Sequence, residues 1–205
     1  MPVERSNAEL VEFSPRLLHS LQIYFGLARA LTRVRIGFDP EPAWETSSAQ
    51  VESFAMHTRG LADFYFKFQR TGRHAKHDAF AFDFFASAEH WRRIIGEPGP
   101  WLRRARFQPE KGSAEEYVDR FGAQIAHLNY KASPASDFAR GWPVMQLASE
   151  IGAATARFVA EVDDGKVAPD FKDKAWREIP VVARLEDAVM PLAAWTRPSL
   201  RLPAS

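Results

Sequence analysis

The sequence predicts an all-α protein, an up-and-down helical bundle of about five main helices followed by an irregular C-terminal segment. Three observations carry this. Four stretches place apolar residues three and four apart, the spacing that gathers them on one face of a helix. Runs of β-branched residues are scarce. Proline- and glycine-bearing breaks separate the stretches. The 205 residues suit one domain, with a core bundle over about 14–163 and a less regular segment over 164–205.

The first helix is expected to begin at Ser14-Pro15, with the serine as cap and the proline at the first helical position. Its inward residues are Leu17, Leu21, Tyr24, Ala28 and Leu31. Asp39-Pro40-Glu41-Pro42 then breaks the chain. A second helix, over about 47–69, sets Phe54, His57, Leu61, Phe64 and Phe68 in heptad-like order with Tyr65 beside them. Residues 70–77 are polar and glycine-bearing, which reads as a loop. The next stretch carries two patterns. Phe80, Phe82 and Phe84 alternate as in a strand, whereas Phe84, Phe85, Ala88, Trp91 and Ile95 suit a helix. Length and the alanines favour a helix from about Asp83 to the break at 96–100. A fourth helix is expected over about 113–131, with Ser113 as cap and Glu115 and Glu116 in the first turn, where the helix dipole favours them. Ser133-Pro134 ends it. A fifth starts near Pro143 and presents Val144, Leu147, Ile151, Ala154 and Phe158. Beyond Asp163-Asp164-Gly165 prolines punctuate the chain, and only 181–190 reads as helical.

Composition narrows the function classes. Hydrophobic residues are 46% and charged residues 26%, enough for a packed core and too apolar for long disorder. A formal net charge of +1 gives no general attraction to nucleic acid or anionic membrane, so any basic surface must be local. The absence of cysteine excludes disulfides, thiolate metal sites and a cysteine nucleophile, and suits a reducing compartment. Met1-Pro2-Val3-Glu4-Arg5 lacks the apolar block of a signal peptide. The stretch 21–31 is too short to span a bilayer and carries Gln22 and Arg29. The expectation is a cytoplasmic protein without membrane contact and without a cofactor. Elbow, phosphate-loop and dinucleotide motifs are absent.

Arg120 and His127 form the first constellation. Seven residues apart, they stand within about 20° of each other on one helix face. They flank the stripe Tyr117, Phe121, Ile125 and Leu128, and Ala123 leaves room beside them. A histidine titrating near neutrality next to a fixed cation suits phosphodiester cleavage. The imidazole exchanges a proton with the ribose 2′-hydroxyl, and the guanidinium stabilises charge on the phosphate. The competing reading makes Glu116 and Arg120 an ordinary i,i+4 pair and His127 a packing residue.

The segment Arg120-Phe-Gly-Ala-Gln-Ile-Ala-His127 resembles the HEPN superfamily, in which four to six residues stand between an arginine and a histidine on a late helix of a small bundle; here there are six. Phe121 stands where that family usually has a polar residue. The resemblance implies a metal-independent ribonuclease of a toxin–antitoxin or defence system, or a non-catalytic RNA-binding relative. It implies a homodimer whose two subunits line one cleft, with His127 in proton transfer and Arg120 on the phosphate. Tyr130, in Ala126-His-Leu-Asn-Tyr130, and Glu116 would support that cleft. This last segment and His57-Thr-Arg-Gly-Leu-Ala-Asp63-Phe are also similar to a group of uncharacterised bacterial proteins. An aromatic content of 13%, more than one small core obviously requires, also motivates a dimer.

Three further groups carry chemistry of their own. His57 falls within the apolar stripe of the second helix, either as a hydrogen-bonded core residue or as a site residue facing a cavity. Arg59 and Asp63 read as a surface pair on the other side. His74, His77 and Asp78 could hold a metal, since His77-Asp78 resembles the central dipeptide of HD-type phosphohydrolases, but Arg70, Arg73 and Lys76 oppose a cation there. Arg92, Arg93, Arg103, Arg104 and Arg106 could grip phosphates while Trp101 or Phe107 stacks a base. The alternative is a solvated arginine-rich turn anchored by its tryptophans. Three functions therefore compete: an RNA-directed HEPN-like protein, a non-enzymatic interaction module with a protein partner, and a metal-dependent phosphohydrolase.

Overall fold

The computed structural model describes residues 5–35, 44–69, 78–103 and 143–179. Among these residues there are helices and no strands, as an all-α bundle requires. In chain order they are α1 (Asn7–Arg35), α2 (Trp44–Phe66), a 3₁₀ turn (Ala81–Phe84), α3 (Ala88–Ile95), α4 (Pro100–Leu102), α5 (Val144–Glu161), a second 3₁₀ turn (Asp164–Lys166) and α6 (Phe171–Glu178). The expected fourth helix, 113–131, and the stretch 181–190 lie outside the described residues.

The first helix starts earlier than Ser14-Pro15. Its cap is the box Ser6-Asn7-Ala8-Glu9: the Ser6 amide donates to the Glu9 carboxylate at 2.8 Å, and the Glu9 amide donates to Ser6 Oγ at 3.3 Å. Those bonds hold the Glu9 carboxyl below its usual range, the Ser6 backbone donor contributing most. Pro15 consequently lies inside α1, where it has no amide hydrogen for the Val11 carbonyl. Ser14 supplies the substitute, donating from Oγ to Val11 O at 2.9 Å. The same oxygen accepts from the Ala168 amide at 2.8 Å. The residue expected to begin the helix is thus fully buried and ties it to the chain 154 positions on.

Helices α1 and α2 pack antiparallel. Tyr24, late in α1, stacks on Phe54, early in α2, at 5.0 Å, and Phe13 stacks on Phe64 at 6.1 Å. Helix α5 is buried along most of its length and brings Phe158 to the centre. The Phe158 ring meets Phe64, Phe84, Trp91 and Phe171 edge-on at 5.2–6.2 Å. Two buried bonds lock this centre. Tyr65 OH donates to Thr155 Oγ1 at 3.0 Å, and Trp91 Nε1 donates to Tyr65 O, a carbonyl of the last turn of α2, at 2.7 Å.

The stretch around 80–95 follows neither expected pattern in full. Residues Ala81–Phe84 make a 3₁₀ turn in which Asp83 Oδ2 accepts from the Phe80 amide at 2.9 Å. Helix α3 starts only at Ala88, because Ser87 Oγ caps it by accepting from the His90 amide at 3.0 Å. It ends at Gly96, whose φ of 70° is the left-handed conformation that glycine tolerates. Helix α6 lies in the segment expected to be irregular. It buries Phe171 and Ala175, with Ile179 just beyond it, and packs on α1 and α5.

Candidate functional site

Because α1 and α2 lean on each other through Phe13 and Phe64, a groove of about 400 Å³ runs along their seam and ends at residues 78–80. One wall is a row on α1 (Phe13, Arg16, Leu17, Ser20), spaced by three and four. The facing row is His57, Gly60 and Phe64 on α2 and Lys67 just past its end, with Met56, Leu61 and Asp63 beside it. Asp78, Ala79 and Phe80 close the end nearest Lys67, whose ammonium lies 5.9 Å from the centre of the Phe80 ring.

His57 lines this groove, together with Asp63 and Asp78 of the other expected groups. It does not sit in the middle of the apolar stripe. The buried row of α2 is Val51, Phe54, Ala55, Thr58, Leu61, Ala62 and Tyr65, and His57 stands at its margin, half-buried. Burial pushes its imidazole below the ordinary histidine range, and the nearby charge of His19 pushes the same way. At neutral pH it is an uncharged ring with one donor and one acceptor nitrogen. Arg59 is exposed, as expected of a surface residue, whereas Asp63 turns into the groove.

The basic stretch is dispersed over two short helices. Arg92 and Arg93 are exposed on α3, where Arg92 reaches Glu89 at 3.4 Å and lies 4.5 Å from the centre of the Phe68 ring. Arg103 donates to Pro98 O at 3.2 Å at the end of α4. Trp101 is half-buried, and its role is partly structural. Its backbone amide and that of Leu102 donate to the two oxygens of Glu150 on α5, at 3.0 and 2.7 Å. A side chain at Gly99 would overlap that carboxylate.

Arg120, His127, Glu116, Tyr130, Arg104, Arg106, Phe107, His74 and His77 lie outside the described residues. Whether His57 and His127 share a cleft is therefore a question for residues beyond these. Asp78 lines the groove and its backbone carbonyl accepts from Arg5 at 2.9 Å. Among the described residues no group of three or more histidine, aspartate or glutamate side chains is placed to hold a metal. Their helices include none long and apolar enough to cross a membrane.

Sequence reasoning missed Arg16, Gly60 and Lys67. The available signal was Gly60, a glycine in the interior of a strongly periodic helix, where it costs stability relative to alanine. No protein-family model, curated protein or solved structure matches this chain.

Proposed function

We propose that the protein is a HEPN-like helical bundle that acts on RNA in the cytoplasm as a homodimer, with Arg120 and His127 as its metal-independent catalytic pair. The observation that carries this reading is the motif Arg120-Phe-Gly-Ala-Gln-Ile-Ala-His127, and the all-α bundle is the setting such a motif needs. His127 takes the proton of a ribose 2′-hydroxyl as its oxygen attacks phosphorus, and the bond from phosphorus to the 5′-oxygen breaks as that oxygen takes a proton from water. Arg120 stabilises the charge that builds on the phosphate.

The test is cleavage of structured RNA by the purified chain in excess chelator. The expected products end in 2′,3′-cyclic phosphate, and the rate peaks near the histidine pKa range. His127→Ala abolishes cleavage with the helical signal intact, and Arg120→Ala weakens it strongly. Full activity in His127→Ala, or no cleavage by the wild type, removes the ribonuclease reading.

The interaction-module reading calls for a broad exposed aromatic patch. Among the described residues the exposed large hydrophobic side chains are Met56, Met145 and Trp176, one each on α2, α5 and α6. That distribution does not favour it.

A further inference from the structure

The charges in the groove between α1 and α2 are unequally committed. Asp63 and Asp78 are both engaged within the chain. Arg16 and Lys67, on facing walls, make no ion pair among the described residues. Between these two cations lie the stacked rings of Phe13 and Phe64, with Phe80 at the end of the groove. Arg16 is one turn past Phe13 and Lys67 one turn past Phe64, and the helices run in opposite directions. At 1.5 Å per residue, the two cations bracket about 9 Å of groove.

Gly60 adds an independent observation. A Cβ built there meets nothing within 4 Å, so packing does not require glycine, although glycine weakens a helix. What the missing side chain does is keep the α2 wall of the groove open at an exposed position. Gly26 in α1 has the same unfilled space but lies away from the groove.

We propose that this groove binds a small planar aromatic anion, its ring against the phenylalanines and its anionic group between Arg16 and Lys67. The volume of about 400 Å³ is in the range of small-molecule sites. The two cations, without an ion pair among the described residues, select an anion, and the aromatic walls select a flat apolar body. Nucleoside monophosphates and aromatic acids share this chemistry. The proposal does not depend on the role of Arg120 and His127.

The experiment uses the full chain and 8-anilinonaphthalene-1-sulfonate as a fluorescent planar anion, with AMP and benzoate as competitors. Saturable binding of one dye per chain is expected. Gly60→Leu should project a side chain into the groove and weaken binding at least about ten-fold, and Arg16→Ala with Lys67→Ala should weaken it by a similar factor. Gly26→Ala should bind as wild type does. AMP displacing the dye assigns a nucleotide, and benzoate alone displacing it assigns an aromatic acid. Dye that neither displaces is held by hydrophobicity alone, which overturns the proposal. Binding that is unsaturable, or unchanged in the double variant, also overturns it. Circular dichroism confirms folding, and if Gly60→Leu unfolds, the double variant of exposed Arg16 and half-buried Lys67 decides the matter.

Discussion

Ser14 joins two needs in one hydroxyl: it gives Val11 O the donor that Pro15 withholds, and it accepts from the Ala168 amide. Its removal leaves a carbonyl and an amide without partners in a buried place. Ser14→Ala is expected to cost about 2 kcal/mol, read from urea denaturation. Adding Pro15→Ala returns an amide donor to Val11 and should recover about half of that loss. No recovery would show that the bond to Ala168 carries the whole effect. His57 yields a prediction of a different kind. Its folded-state pKa lies below the ordinary value, so the unfolded chain takes up its proton first as the solution is acidified. This contribution leaves stability at its full value above the ordinary histidine range and lowers it as pH falls through that range. His57→Gln should therefore shrink the drop in urea midpoint between about pH 7.5 and about pH 5. An unaltered drop would transfer the effect to other groups.

Among the helices, α4 is the least able to stand alone, since three residues form no helix without outside help. Glu150 supplies that help by receiving two of its terminal amides. Glu150→Ala should cost about 1–2 kcal/mol. Gly99→Ala should cost nearly as much by displacing the same carboxylate, with little added in the double variant. Additive losses would mean that the two act independently. The sequence made α5 and α2 legible because their apolar rows run long enough to exclude a strand. It equally held the Ser6–Glu9 capping box, which Ser14-Pro15 concealed by imitating a second start. Helix α6 was not legible: its buried residues, Phe171 and Ala175 with Ile179, span barely two turns after Pro169. The groove was hidden for another reason. Helical spacing sets Phe54, His57 and Leu61 on nearly one line, and only the direction from which α1 approaches decides that His57 faces a seam and not the core.

For the molecule as a whole, the many aromatic rings have a plain use. Phe158 gathers Phe64, Tyr65, Phe84, Phe85, Trp91 and Phe171 into one cluster among the described residues. The proposed dimer rests on the motif, and light scattering at about twice the chain mass is its check. Phe158→Ala should cost about 3–5 kcal/mol, and Phe158→Leu distinctly less, both measured by thermal or urea unfolding. A loss under about 1 kcal/mol would mean that the cluster closes over the gap with ease.

The clasp between Ser14 and Ala168, with Arg29 and Glu178 3.1 Å apart further along, also has a consequence in time. A ribosome releases about 5–20 residues per second, so α1 has emerged for roughly 7–27 seconds before position 168 is made. For that interval Leu17, Tyr24, Phe25 and Leu31 have α2 to lean on but not α6. A nascent chain stopped at 166 should hold helix yet lack a cooperative unfolding transition, and should be cut by protease faster than one stopped at 205. The last helix among the described residues is the one that closes the first.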